Sequence, residues 1–234
     1  MSYTKNAAAF GKLVGICAGY EGKYNPARQN LTITSIRNLE AEANAANMAV
    51  AVARQNWTKA TGNRQAAIKS LADVVAKLRG EIIGSVTDPV SKKTLLSAVS
   101  KVSASRRAGN PDPPSEPGGP VVAARGSFGK DYATRTAAFE SLVHALAATP
   151  EFQPSAPGLT AEALQAKAAQ FKTLSTEVNK AFAELQEARG NRRRLYRKPV
   201  TGVMAIARSV RFAISSIFGR KSDEHNTVNA IQFF

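Results

Sequence analysis

The sequence is poor in the residues on which most enzymes and metalloproteins depend. It has one cysteine, Cys17, and two histidines, His144 and His225. A single cysteine excludes a disulfide bond within the chain, and two distant histidines cannot complete a zinc site of the usual spacing. We interpret Cys17 as a small core residue and both histidines as surface or core-edge residues. We therefore expect no metal, no cofactor, no small-molecule substrate and no enzymatic activity.

The sequence also shows no signature of a phosphate-binding loop or of a membrane-spanning segment. The glycines of "GKLVGICAG", residues 11–19, follow no strand and lack the closing Lys-Ser/Thr of a phosphate loop. No uncharged apolar run reaches the roughly 18 residues that span a bilayer. The first twenty residues have no clear signal-peptide cleavage site. The sequence therefore favours a cytoplasmic protein.

Acidic residues are scarce relative to basic ones. The 234 residues include 32 Lys and Arg against 17 Asp and Glu, a net charge of +15. An excess of this size favours association with polyanions such as nucleic acid, with anionic membranes, or with acidic protein surfaces. It indicates the chemistry of partners and does not bear on the fold.

An internal repeat organises the chain. The segment that begins at Phe10 matches the segment that begins at Phe139, and "ATGNR" at 60–64 matches "ARGNR" at 188–192. After a small insertion, 82–84 matches 217–219 and Asp88 matches Asp223. The order and near-constant offset of these matches predict two related halves, residues 1–108 and 131–234. Residues 109–130 contain five prolines and five glycines, which indicates a linker.

Each half is predicted to be helical. Thr32 and Thr160 are suited to cap helices over about 33–61 and 161–189, with Leu31 and Leu159 at hydrophobic-staple positions. Gly62 and Gly190 each precede an asparagine, so we expect a kink or a tight helix junction there.

The later segments continue this helical pattern. The apolar residues of 71–82 and 203–217 follow the spacing of one helix face. Asp88 and Pro89 predict the start of a helix over 89–103, and a short helix is expected after Ser222. The fold class is therefore all-α, built from two related multi-helix units joined by a Pro/Gly-rich linker.

The chain resembles a group of uncharacterised, internally duplicated helical proteins found in bacterial genomes. The shared features are an aromatic-x-Pro loop before a Leu-Thr cap, an Ala-rich helix that ends near "ARGNR", a helix that closes with "SIFG", and the ending "VNAIQFF". The resemblance implies a duplicated helical fold and implies no activity.

The first hypothesis for function is a structural protein that self-associates into homo-oligomers or filaments. The alanine-rich stretches 41–53 and 161–169 would allow close helix packing, and two similar but non-identical halves favour head-to-tail contacts. The candidate contact residues are Ile231, Phe233 and Phe234, which would form an apolar patch if exposed. The alternative is that these residues fold back onto their own half.

The second hypothesis is sequence-independent binding of DNA or RNA. The basic run "ARGNRRRLYRK" could bind phosphates, and Tyr196 could stack on an unpaired base. The candidate residues are Arg189, Arg192, Arg193, Arg194, Tyr196, Arg197, Lys198, Arg106 and Arg107. The alternative is a solvated helix end that offsets the helix dipole. Because Gly190-Asn191-Arg192 repeats Gly62-Asn63-Arg64, we assign this part to a helix junction and the remaining charges to polyanion contact.

A third hypothesis is membrane-surface attachment through 201–218, where Arg208 and Arg211 lie off the apolar face. The matching segment 71–83 has the same periodicity but carries Asp73 and Glu81, so packing in two related cores explains both better. From the sequence we favour the self-associating basic scaffold, with nucleic-acid binding as the alternative.

Overall fold

A computed structural model of the chain describes residues 2–103 and 128–234. Within these ranges the protein consists of seven α-helices and has no strand, which confirms the all-α prediction. The helices are α1 (Tyr3–Gly19), α2 (Ile33–Ser85), α3 (Pro89–Ser103), α4 (Phe128–Ala147), α5 (Ala161–Arg197), α6 (Val203–Phe218) and α7 (Asp223–Asn229).

The two long helices begin at the predicted threonine caps. The Thr32 hydroxyl accepts a hydrogen bond from the Ser35 N–H at 3.4 Å, and the Thr160 hydroxyl accepts one from the Ala163 N–H at 3.2 Å. These bonds satisfy first-turn N–H groups that have no partner inside the helix. The staple residues beside each cap are buried in the same core cluster as their helical counterparts, Leu31 with Ile36 and Leu159 with Leu164.

The shorter helices α3 and α7 also begin as predicted. Asp88 accepts a 2.7 Å hydrogen bond from the Ser91 N–H, and Pro89 is the first residue of α3. Ser222 accepts a 3.1 Å bond from the His225 N–H at the start of α7. Local cap chemistry therefore determines where both helices start.

The tight helix junctions expected as one alternative at Gly62 and Gly190 do not form. Both α2, with 53 residues, and α5, with 37 residues, continue through their glycine. A glycine inside a helix costs only about 1 kcal/mol relative to alanine. That cost is outweighed by buried residues on either side, such as Ala53 and Ile68 in α2.

The described chain forms two compact units. Unit 1 comprises Met1–Thr58 and Lys180–Phe234, and unit 2 comprises Lys59–Asn179. The core of unit 1 packs side chains from α1 and the start of α2 against others from the end of α5, α6 and α7. A small second cluster, made by Val50, Ala53 and Leu185, joins α2 to α5 in the same unit.

Unit 2 has one continuous core. It packs the end of α2, α3, α4 and the start of α5, and includes Leu71, Leu78, Leu95 and Leu142. The rings of Phe139 and Phe171 meet edge to face, with centroids 5.6 Å apart. Such aromatic pairs add to the stabilisation that comes from burial.

The compact units do not coincide with the two halves inferred from the sequence. Each unit takes helices from residues 1–108 and from 131–234, because α2 and α5 each contribute a segment to both units. Residues 104–127, which hold most of the predicted linker, lie outside the described residues.

Candidate functional site

The basic run at the end of α5 lies in unit 1, and most of its side chains are exposed. Arg189, Arg193 and Arg197 follow at intervals of four residues, so they project from one side of the helix. Arg194 and Lys198 form the neighbouring row. The five side chains therefore give the end of α5 a dense positive surface.

Arg192 belongs to the packing of unit 1. Its guanidinium lies 4.2 Å from the centre of the Tyr3 ring, and its Nε atom is buried. A cation over an aromatic ring is an attractive contact that joins α5 to α1. The residues "GNR" therefore lie inside a continuous helix, from which Arg192 contacts Tyr3, and they do not form the predicted tight junction.

Tyr196 is fully buried, so its ring has no surface on which a base could stack. Its hydroxyl donates to the Tyr3 carbonyl at 3.2 Å and accepts from the Asn47 side-chain amide at 3.0 Å. Burial raises the pKa of Tyr196. The sequence-based assignment of Tyr196 to nucleic-acid contact is therefore wrong in this structure.

The helical register contains a signal that would have placed Tyr196 in the core. Leu185, Ala188, Arg192 and Tyr196 are spaced i, i+3, i+7 and i+11, and these positions share one helix face. Leu185 is buried, and Ala188 and Arg192 are half-buried. The dense charge around Tyr196 obscured this periodicity.

A tight break separates α5 from α6 at residues 198–202. Val200 adopts a left-handed backbone with φ of 68°. A Cβ atom on Gly202 would lie 2.6 Å from the Lys198 carbonyl oxygen and 2.8 Å from that of Leu195. Only glycine fits this close approach of backbone to backbone. The break therefore depends on Gly202.

The break opens a basic cleft of about 310 Å³ between the end of α5 and α6. Arg197, Lys198 and Arg208 are among its lining residues, together with Met204 and Pro199. A second cleft, of about 320 Å³, lies between α6 and α7 and shares Arg208. Its other cationic residues are Arg211 and Arg220. We call Arg197, Lys198, Arg208, Arg211 and Arg220 the basic strip.

Acidic side chains are missing from the described lining of both clefts. Within residues 2–103 and 128–234, neither cleft is lined by a carboxylate side chain. Residues 180–234 contain eleven Lys and Arg against four Asp and Glu, and α6 contains no acidic residue. Positive charges that lie close together without acidic partners repel one another. A bound anion would reduce this repulsion, so the surface is suited to binding anions.

Sequence reasoning did not connect Arg208 and Arg211 with nucleic-acid binding. It assigned both to the polar side of a helix considered for membrane attachment. The useful signal was that the polar residues of α6 are arginines and serines, with no acidic residue among them. Its apolar face is used by the core, where Val203, Ile206, Val210 and Ile214 are buried.

The segment 231–234 is folded onto unit 1. Asn6, which is fully buried, receives a hydrogen bond from the Phe234 N–H and donates one to the Phe234 carbonyl, both at 2.6 Å. The Arg211 guanidinium donates to the Ile231 carbonyl and lies 5.1 Å from the centre of the Phe233 ring. Ile231 and Phe233 are half-buried by these contacts, whereas Phe234 is 55% exposed. Of the three candidate contact residues, only Phe234 has the exposure that the self-association hypothesis requires.

The two histidines and Cys17 lie in different surroundings. His144 is exposed, and the His225 Nε2 lies 3.3 Å from the Asn229 amide nitrogen. Cys17 is buried, and burial raises its pKa to about 12. No group of three metal-ligating side chains occurs in the described part of the chain. Arg106 and Arg107 lie outside the described residues.

No helix within 2–103 or 128–234 has the length and hydropathy needed to cross a membrane. The chain matches no protein-family model, no curated protein and no solved structure. The resemblance to duplicated bacterial helical proteins therefore stays a prediction.

Proposed function

We propose that this protein is a non-enzymatic helical scaffold that binds nucleic acid through the basic strip of unit 1. The observation that carries this proposal is the pair of clefts that, among the described residues, are lined by five cationic residues and by no carboxylate side chain. Three of these cations are arginines on or just after α6, so a folded core holds them in position. The strip continues the exposed basic surface of α5.

Phosphate groups match this surface in charge and geometry. The guanidinium group presents paired N–H donors to phosphate oxygens, and neutralising phosphates releases condensed counterions. Contacts of this kind carry no sequence information, since they do not read base edges. Binding should therefore be independent of sequence and should weaken steeply as salt is added.

The test is a fluorescence-anisotropy titration of the full chain with labelled DNA at several salt concentrations. The triple variant R197Q/K198Q/R208Q should bind about tenfold more weakly, and the slope of log K against log salt should fall by about 2 to 3. The matched control is K69Q/K77Q/R79Q, which removes the same charge from exposed positions of unit 2.

The two triple variants separate a local surface from bulk charge. The control should keep most of the wild-type affinity and slope. Equal weakening by both variants would mean that total charge governs binding, and the basic strip would lose its special role. Absence of binding at low salt would end the proposal.

We also propose that the chain is an internal duplication whose two copies exchange helices between the units. Arg64 lies 4.6 Å from the centre of the Tyr132 ring in unit 2, which parallels Arg192 and Tyr3 in unit 1. The sequence repeat pairs Arg64 with Arg192. Each arginine-to-alanine substitution should cost about 0.5–2 kcal/mol of unfolding free energy. If only one of the two substitutions lowers the free energy of unfolding, Arg64 and Arg192 are not equivalent.

Self-association is a second candidate, supported by an apolar stripe on α2. Met48 is 69% exposed and Val52 is 50% exposed, and with Ala45 and Ala49 they share one helix face. A face of this kind is suited to close packing against a helix of a second copy.

Sedimentation velocity tests this candidate. The variant M48E/V52E should shift the protein towards a smaller species, whereas V90E should not. Val90 is a suitable control because it is 73% exposed in unit 2. If the wild-type chain is a monomer at all concentrations, self-association is excluded.

A further inference from the structure

Phe212 is the most exposed of the large apolar side chains in the described chain, at 75%. Its neighbours on α6, Val210 and Ile214, are fully buried in the core. A single exposed apolar residue is ordinary on a protein surface. The surroundings of Phe212 are what distinguish it, because its ring lies beside the basic strip.

Phe212 lines two clefts of contrasting chemistry. One is the basic cleft between α6 and α7, with Arg208, Arg211 and Arg220. The other, of about 340 Å³, is mainly apolar and includes Pro26 and Ile217. An open aromatic ring thus lies between an apolar recess and a group of phosphate donors.

Arg211 is the partly buried cation of the basic cleft. Burial lowers the pKa of its guanidinium, because the surrounding protein replaces water that would stabilise the charge. A phosphate bound in the cleft would stabilise that charge again.

Arg211 is held in place before any ligand arrives. Its guanidinium donates to the Ile231 carbonyl and packs over the Phe233 ring. A fixed side chain loses less conformational entropy on binding than a mobile one. Ser215 and Asn229 add a hydroxyl and an amide to the same cleft.

We propose that Phe212 and its two clefts bind single-stranded nucleic acid. An unpaired base stacks on the Phe212 ring and enters the apolar recess, while Arg208, Arg211 and Arg220 bind the adjoining phosphates. A duplex keeps its bases paired and stacked, so it uses the basic strip without Phe212. This inference rests on the proposed function and specifies its ligand.

The experiment compares a single-stranded thymidine oligonucleotide with a duplex that has the same number of phosphates, using the full chain and anisotropy. Phe212→Ala should weaken single-strand binding about tenfold, because stacking on one aromatic side chain has an effect of this size. Duplex binding should change less than about twofold, because phosphate contacts are kept.

Two further variants separate stacking from apolar contact. Phe212→Trp should retain single-strand binding, and Phe212→Leu should lose it as Phe212→Ala does. Val90→Ala removes apolar surface of similar exposure from unit 2 and should change neither affinity. Because Phe212 is so exposed, thermal melts of its variants should match the wild type.

The outcomes of the two proposals are distinguishable. If Phe212→Ala and Phe212→Leu bind the single strand as the wild type does, while R197Q/K198Q/R208Q loses both ligands, the single-strand inference is overturned and nucleic-acid binding stands. If neither ligand binds the wild type at low salt, both proposals fail. If Phe212→Ala weakens both ligands equally, the ring does not discriminate and the inference is again overturned.

Discussion

Residues 59–83 of α2 and residues 187–218 of α5 and α6 occupy matching places in the proposed repeat, yet only the first stretch is uninterrupted. Both stretches place an arginine over a tyrosine ring, and both bury one apolar face. In the first, α2 continues to Ser85. In the second, the chain leaves α5 after Arg197 and restarts at Val203.

In the proposed repeat, the difference coincides with a short insertion. The offset between matching residues rises from 128 at Arg64 and Arg192 to 135 at Ile82 and Ile217. The extra residues accompany the break at 198–202, which brings Lys198 and Arg208 to one cleft. In the proposed repeat, the insertion leaves the buried helix face intact and changes the shape of the exposed face.

The largest effect is expected at Tyr196, whose matching position in unit 2 is the buried Ile68. Tyr196→Ala should lower the free energy of unfolding by about 3–5 kcal/mol, as for other buried aromatic residues. Tyr196→Ile should cost about 1–3 kcal/mol, because the Asn47 amide and the Tyr3 carbonyl lose their partner.

Urea denaturation measures both changes. The control is Arg193→Ala, an exposed position that should stay within about 0.5 kcal/mol of wild type. Wild-type stability for Tyr196→Ile would show that the hydroxyl network is dispensable.

A pair of glycine substitutions tests whether the helix break needs its present geometry. Gly202→Ala should destabilise by about 1–3 kcal/mol, because the new Cβ would meet the backbone of Lys198 and Leu195. Gly190→Ala should stabilise by about 0.5–1 kcal/mol, since the site is helical and has no atom within 4 Å.

Thermal unfolding of the two glycine variants gives the comparison directly. If both variants change the melting temperature in the same direction, the proposed difference between the open helical site at Gly190 and the crowded turn at Gly202 is contradicted.

Val200 offers a smaller test of the same break. Its side chain is exposed, and its left-handed backbone is unfavourable for a β-branched residue. Val200→Gly should raise the free energy of unfolding by about 1 kcal/mol, the strain relief being partly offset by greater freedom of the unfolded chain. Calorimetry would detect this gain, and a clear loss would mean that the valine makes a contact worth more than the strain.

The smallest expected effect concerns the pH response of unit 2. Glu151 accepts hydrogen bonds from the Thr87 N–H, the Thr87 hydroxyl and the Asp88 N–H, and Glu81 accepts two from Ser155. These bonds lower the pKa of both carboxyl groups. At the matching positions, unit 1 has Lys23 and Ser216.

For a carboxyl group whose pKa is lower in the folded protein, the stabilisation is fully present at pH values above the pKa of the unfolded chain, about 4.3 for glutamate. It is lost as the pH falls through the lower pKa that the group has in the folded protein. Acidification from pH 6 to pH 3 should therefore reduce the hydrogen-exchange protection factors of Thr87, Asp88 and Ser155. The double variant E81Q/E151Q should lack this dependence. An unchanged response in that variant would assign it to other groups.

The local features of this fold could be predicted from the sequence. Thr32, Thr160, Asp88 and Ser222 begin helices as expected, because a cap requires only residues three or four positions apart. The junction expected at Gly62 was wrong because the packing of distant residues overrides a weak local preference.

Predicting the candidate site requires knowledge of the tertiary structure, whereas predicting the helix starts does not. The basic charge at Arg193, Arg194 and Arg197 was visible in the sequence, and these residues are exposed. The continuation of the surface into Arg208 and Arg211 depends on how α6 packs after the break. The assembly of each unit from both halves of the chain also depends on long-range contacts, which no short motif specifies.

The discontinuous make-up of unit 1 also sets the order in which the protein can mature during synthesis. Unit 2 is a single stretch, Lys59–Asn179, so all of its helices are available once that stretch has left the ribosome. Residues 1–58 can complete the packing of unit 1 only after residues 180–234 have been synthesised. The buried Asn6 likewise gains its hydrogen bond from the Phe234 N–H only then. The nucleic-acid surface that we propose therefore forms only after synthesis has passed through the final segment of the unit.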